Sequence, residues 1–79
     1  MAGKILGAQI GVVINAFDPQ GRGRAQVRIP SVSGDVGSWA PVCRPFGGGP
    51  AGAPQIGASV VVVFENGDPD YPIILGTVG

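Results

Sequence analysis

The sequence predicts an all-β domain built as a small antiparallel barrel, and two observations predict it. The chain of 79 residues contains 15 Gly and 8 Pro, which break up any long helix. Five short apolar segments are separated by turn-forming residues, the spacing typical of a small barrel or sandwich. A chain of this length forms one domain, so all five segments must share one core.

The first predicted strand covers residues 8–17. One of its faces has Ile10, Val12 and Ile14. The other has Gln9, Gly11, Val13 and Asn15. A glycine inside a strand indicates a bulge or a sharp bend, so we expect one at Gly11. Residues 18–21 then form a turn in which the Asp18 side chain can cap the backbone and Gly21 can take a positive φ.

The second predicted strand, residues 23–29, has the clearest alternation. Its apolar residues Ala25, Val27 and Ile29 alternate with polar ones, which predicts one buried and one solvated face. Pro30 ends it, and residues 31–38 are predicted to form a polar loop. A third strand follows over residues 39–44, and the Gly/Pro-rich residues 46–57 are predicted to form a long exposed loop.

The last two predicted strands, residues 60–64 and 73–75, flank the turn segment 65–72. Neither alternates cleanly, which indicates that both of their faces are at least partly covered. If Glu65 points to solvent, Val60, Val62 and Phe64 face the core. Val61 and Val63 then form an exposed apolar patch, and such patches usually mark contacts.

These elements best match the OB fold, a five-stranded, partly open Greek-key barrel. No helical segment is expected, and the 46–57 loop takes the place between strands three and four where many OB folds have a helix. We expect residues 1–7 to be a flexible N-terminal lead and residues 8–79 to be the barrel. With 44% hydrophobic and only 13% charged residues, the composition favours an obligate oligomer or complex.

Composition also excludes several kinds of chemistry. Without a His there is no base for a serine nucleophile and no partner for the single Cys43 in a metal site, so neither an enzyme nor a cofactor is expected. Asp68 and Asp70 lack the further ligands of a calcium loop and are interpreted as turn residues. Cys43 is predicted to be a small buried hydrophobe. There is no signal peptide, and no apolar run is long enough to span a bilayer.

Three motifs, in this order, make the chain resemble a known family. They are GRAQVRIP at 23–30, SWAPV at 38–42 followed by PFGG at 45–48, and PQIG at 54–57 with VVVVFE at 60–65 and GDPDYPIILG at 67–76. The chain resembles the OB-fold domain shared by three groups of proteins: the central spikes of contractile phage tails, V-type baseplate assembly proteins and the valine-glycine-repeat spikes of type VI secretion. The similarity covers residues 8–78.

The resemblance implies a structural role in the virion tail or baseplate, where such domains join a trimeric hub to a membrane-puncturing tip. Larger members have a hub-like domain, a lysozyme domain or a β-helical needle that this sequence lacks. We therefore expect a homotrimeric adaptor or plug, with a trimeric hub protein and a separate spike tip protein supplied by other chains and no small-molecule substrate. The predicted interface residues are Trp39, Phe46, Val61, Val63, Tyr71 and Ile74, with possible polar contacts from Arg24 and Arg28.

The alternative is a module that binds single-stranded nucleic acid, which requires a basic groove and stacking aromatic rings. Arg22, Arg24 and Arg28 lie in or beside the second predicted strand. The net charge is zero, however, and few aromatic residues remain for stacking. The sequence therefore favours the structural role over nucleic-acid binding.

Overall fold

A computed structural model describes residues 4–34, 36–47 and 54–78. It contains one five-stranded sheet in the order β3-β2-β1-β4-β5, with antiparallel neighbours. The strands are β1 Gln9–Asn15, β2 Arg24–Arg28, β3 Gly37–Pro41, β4 Ser59–Phe64 and β5 Pro72–Thr77. A parallel bridge between Val42 and Ile74 brings the edge strands β3 and β5 together. The predicted all-β OB barrel is confirmed, although the third strand begins and ends earlier than predicted.

The core consists mainly of small and β-branched side chains from the inner faces of the strands. Val60, Val62 and Phe64 are buried, which confirms the predicted inner face of β4. The predicted alternation of β2 is also confirmed. The remaining buried hydrophobic residues are Val13, Ala25, Val27, Ile29, Ala40 and Ile74. A fully buried Val or Ile contributes roughly 1.5–3 kcal/mol, more than a typical exposed ion pair, so this cluster dominates the stability of the domain.

Gly11 lies on the core face of β1, beside the buried Val13. A Cβ atom here would lie 3.2 Å from the Arg28 carbonyl oxygen and 3.2 Å from Cγ1 of Ile29. The glycine therefore allows close packing of the strands. A bulge or a sharp bend was predicted at Gly11; the bulge in β1 lies between Val13 and Asn15 instead, so the predicted position of the bulge was wrong.

The prediction of no helical segment was also wrong, because a single helical turn, α1, covers Pro30–Ser33. Pro30 ends the preceding strand, but its fixed φ is also suited to the first turn of a helix. Val32 donates its N–H to the Ile29 carbonyl at 3.0 Å and packs against the core. A 3-10 turn at Glu65–Gly67 joins β4 to the loop before β5. Within the described ranges, no helix has the length and apolar character needed to cross a membrane.

Part of the predicted N-terminal lead is attached to the barrel. Ile5 donates its N–H to the Gly67 carbonyl at 2.9 Å and packs against the core. Ile5 is therefore in contact with the domain that was predicted to begin at residue 8. Residues 1–3 of the lead and residues 48–53 of the predicted 46–57 loop lie outside the described residues.

We predict that Gly67→Ala destabilises the domain and loosens this N-terminal attachment. Gly67 has φ +73°, and an added Cβ would lie 2.8 Å from Cβ of Lys4. Gly21→Ala is the matched control, because Gly21 has φ +66° and no atom within 4 Å of the added Cβ. Both variants should lose about 1 kcal/mol to backbone strain, with a further loss of about 1 kcal/mol in Gly67→Ala alone. Urea unfolding measures both losses, and hydrogen exchange at the Ile5 amide should rise only in Gly67→Ala. Equal effects of the two substitutions would contradict the attachment.

Candidate interaction site

An apolar stripe runs across the outer faces of β1, β4 and β5. Val61 of β4 lies opposite Ile10 of β1, and Val63 lies opposite Ile73 of β5. Ile10 is 53% exposed, and the others are partly exposed. We call Ile10, Val12, Val61, Val63 and Ile73 the outer stripe. It explains why β4 does not alternate in sequence: one face fills the core, and the other joins this surface.

The predicted interface residues divide into three groups. Val61 and Val63 lie in the outer stripe but are half-buried, less exposed than predicted. Trp39, Tyr71 and Phe46 are accessible to different degrees: Trp39 is half-buried, Tyr71 is 58% exposed and Phe46 is fully exposed. Ile74 is 1% exposed and belongs to the core, so its assignment to an interface is corrected.

Ile10 and Ile73 were not among the predicted interface residues. The glycine in β1 is the signal that could have identified Ile10. A strand glycine often marks a close approach of backbone, so the face with Gly11 and Val13 is the inner one. Ile10 and Ile14 must then point outward, as the structure shows.

Asp18 organises the loop between β1 and β2. Its side chain is buried, and its carboxylate accepts hydrogen bonds from the backbone N–H groups of Gln20 at 2.9 Å and Arg22 at 3.0 Å. It also accepts from Arg24 Nε at 3.0 Å and Nη2 at 3.1 Å, a bidentate ion pair. The predicted capping role of Asp18 and the positive φ of Gly21 are both confirmed. The ion pair with Arg24 is an addition that sequence spacing did not reveal.

The Arg24 hydrogen bonds lower the pKa of Asp18 well below its usual range, and the backbone N–H groups add to this effect. In turn, the Asp18 carboxylate raises the pKa of Arg24. The guanidinium also lies over the Trp39 ring, 5.5 Å from its centroid. Arg24 is therefore held between the Asp18 carboxylate and the Trp39 ring. Arg28 lies half-buried on the same outer face, opposite Val12 and Gly37.

A surface groove with a volume of 310 Å³ lies where β3 meets β5. We call it the seam groove. Its lining residues are Arg24, Trp39, Pro41, Glu65, Asp70, Tyr71, Pro72 and Ile73. A backbone hydrogen bond from Cys43 N–H to the Ile74 carbonyl at 2.9 Å joins the two sides, next to the bridge between Val42 and Ile74. The seam groove lies beside this closure of the barrel.

The seam groove lies on the side where OB folds bind oligonucleotides, near strands two and three and the loop between strands four and five. Such binding requires basic side chains along the phosphate path. Glu65 and Asp70 are exposed there, and Arg24 is already paired with Asp18. The charge of the groove lining therefore argues against nucleic-acid binding in this groove.

The structure assigns the remaining candidates to turns and surface. The Asp68 carboxylate accepts the Asp70 N–H at 3.0 Å, as expected of turn residues. Among residues 4–34, 36–47 and 54–78, no three His, Cys, Asp or Glu side chains lie close enough together to hold a metal ion. Cys43 is exposed, so its predicted burial was wrong. It follows Val42, the residue just after β3 that bridges to Ile74 of β5.

Comparison with known families gives one match. A family model described as the type VI secretion system/phage-baseplate injector OB domain matches residues 9–78. A search of curated proteins found no match. The matched range begins with β1 and ends just after β5, so it covers the whole barrel.

We predict that Asp18→Asn lowers the stability of the domain at neutral pH. The stability of this variant should also fall less than that of the wild type as the pH is lowered. The folded state holds Asp18 ionised at lower pH than the unfolded state, so the unfolded state binds more protons as pH falls. The contribution of Asp18 is thus complete above about pH 5 and is lost progressively below the usual carboxyl pKa. At pH 7 we expect a melting temperature roughly 5–10 °C lower, and the gap between the proteins should shrink toward pH 2.

Thermal melts from pH 7 to pH 2 measure both effects. Asp70→Asn is the matched control, since it removes the same charge from an exposed carboxylate. It should change the melting temperature by no more than about 2 °C. If the melting temperature of Asp18→Asn falls with pH as steeply as that of the wild type, another group causes the loss of stability in acid.

Proposed function

The chain belongs to the family of type VI secretion system/phage-baseplate injector OB domains, and we propose that it acts as an adaptor or plug on the hub–spike axis of such an assembly. Membership gives it a structural role in a phage tail or related baseplate. The finer proposal is that three copies form a ring that a trimeric hub protein contacts on one side and a separate spike tip protein on the other. No catalytic step is part of this role.

The outer stripe is the observation that best supports self-association. It places five aliphatic side chains on one continuous outer surface of β1, β4 and β5. Water contact with such a surface is unfavourable, at roughly 25 cal/mol for each Å² of apolar area. A neighbouring copy that covered the stripe would remove this cost. A barrel of this size has no second layer of its own to do so.

Electrostatics are compatible with close packing of identical copies. The formal net charge is zero, so three copies do not accumulate a repulsive field. A cyclic arrangement also closes on itself, which limits the assembly to a defined number of subunits. Trp39, Phe46 and Tyr71, with polar contacts from Arg24 and Arg28, remain the proposed contacts with the same or other subunits.

We predict that the protein forms a trimer, either alone or in complex with its hub. Alone, it should sediment at three times its 7.9 kDa monomer mass. Ile10→Lys should shift it to the monomer, because a charge within the outer stripe cannot be buried against a neighbour without a partner. Ile56→Lys is the matched control: Ile56 is 70% exposed and lies in the loop before β4, outside the outer stripe.

Sedimentation equilibrium at micromolar concentration distinguishes these outcomes. A wild-type monomer that also fails to bind hub protein would refute the adaptor role. If both lysine variants dissociate equally, the interface lies elsewhere than the outer stripe.

A further inference from the structure

We propose that the seam groove is a binding site for a cationic side chain, an Arg or Lys presented by an extended segment of a partner protein. The groove shares Ile73 with the outer stripe, and Trp39 and Tyr71 with the proposed subunit contacts. A cationic ligand goes beyond the role given to those residues above. The proposal depends on the chemistry of the groove alone and holds whether or not the protein forms a trimer.

The first reason is charge. Glu65 and Asp70 are exposed at the groove, and in the described part of the chain neither carboxylate has a hydrogen bond or ion pair through its side chain. The one cation in the lining, Arg24, forms a bidentate pair with Asp18. The groove lining therefore includes two acidic residues without a side-chain partner among the described residues, and an incoming guanidinium or ammonium would complement their charge.

The second reason is the aromatic lining. Trp39 and Tyr71 both contribute to the groove, and Tyr71 is 58% exposed. Aromatic faces attract Arg and Lys side chains through their quadrupole, and carboxylates add a second attraction for the same charge. Arg24 already uses the Trp39 ring in this way within the molecule. The apolar residues Ile73 and Pro72 would contact the aliphatic part of the bound side chain.

The third reason is that the acidic side of the groove is preorganised. Glu65 donates its N–H to the Tyr71 carbonyl at 2.9 Å, and Tyr71 donates to the Asp68 carbonyl at 3.0 Å. The Asp68 carboxylate fixes the Asp70 N–H. A loop held by these bonds loses little conformational entropy when a ligand binds.

The prolines of the seam favour recognition of a side chain over addition of a strand. Pro41 ends β3 and Pro72 begins β5, and both line the groove. Neither has an N–H to donate to an added strand. The groove volume of 310 Å³ is at the small end for a ligand pocket and suits one long side chain with its flanking residues.

The test uses the full chain and a capped Gly-Arg-Gly peptide, with the same peptide containing citrulline, a neutral isostere of arginine, as the matched ligand. Trp39 is the only tryptophan in the sequence, so its fluorescence reports on the groove. Amide shifts in nuclear magnetic resonance spectra locate the binding site. We expect saturable binding of the Arg peptide with shifts at Glu65, Trp39 and Tyr71, and binding at least about fivefold weaker for the citrulline peptide.

Substitution of the groove carboxylates should weaken the binding of the Arg peptide. Glu65→Gln with Asp70→Asn should reduce its affinity at least about fivefold, and each single substitution should reduce it less. Asp68→Asn is the matched control: it removes a charge from the same turn, does not line the groove and keeps an oxygen to accept the Asp70 N–H. The affinity of Asp68→Asn for the Arg peptide should stay within about twofold of the wild-type affinity. Amide spectra confirm that each variant is folded, and the single variants suffice if the double variant is not.

Four results would overturn the proposal. They are equal binding of the citrulline peptide, undiminished binding by the carboxylate variants, shifts that map outside the groove, and tighter binding of spermidine or of single-stranded oligothymidine at the same residues. If the Trp39 and Tyr71 amides instead shift with protein concentration alone, a second copy occupies the groove, and the assignment to a partner protein is wrong. Sedimentation of the same samples reports the oligomeric state separately, so failure here leaves the proposed adaptor role to its own test.

Discussion

The bidentate pair between Asp18 and Arg24 is the interaction on which the outer surface of this barrel depends. The Asp18 carboxylate gathers backbone N–H groups of the β1–β2 loop and the Arg24 guanidinium around one buried site. Because Arg24 is the first residue of β2, the pair positions the start of that strand. Because the guanidinium lies over Trp39, it also orients the aromatic side of the seam groove. One carboxylate thus links a turn, a strand and a candidate binding surface.

Chain length imposes a second constraint. A single five-stranded sheet that curls on itself has an inner face with room for small and β-branched side chains, and it has no second layer to cover the outer one. An apolar residue that does not fit inside must therefore lie on the outer surface. Ile10 and Ile73 are in this position, as are the two outer valines of β4. The apolar composition and the outer stripe are two consequences of the same geometry.

Sequence reasoning was most successful where one physical cause acts locally. Alternation identified both faces of β2, and the Val/Phe run identified the inner face of β4.

Sequence reasoning failed where two physical causes compete at one residue. Gly11 is compatible with a bulge or with close packing, and only the positions of Ile29 and Val62 decide between them. Pro30 can end a strand and also begin a helical turn, and Val32 packing on the core decides. Ile74 was assigned to an interface because its run lacks alternation, yet the bridge to Val42 places it inside. The groove could not be predicted from the sequence, because its lining combines residues that are far apart in the chain. Some belong to β2 and β3, and the others belong to the β4–β5 loop and β5.

The side chains that line the seam groove, rather than the topology of the barrel, determine which ligands it can accept. OB folds that bind nucleic acid need free cations on the face formed by strands two and three. Here Arg24, the cation in the groove lining, is paired with Asp18, while the β4–β5 loop contributes Glu65 and Asp70. The aromatic rings that could stack on bases remain, but the charge around them has the opposite sign. Fold and aromatic content alone would favour a nucleic-acid ligand. The pairing of Arg24 with Asp18, together with Glu65 and Asp70 in the groove lining, is the reason for proposing a cationic ligand instead.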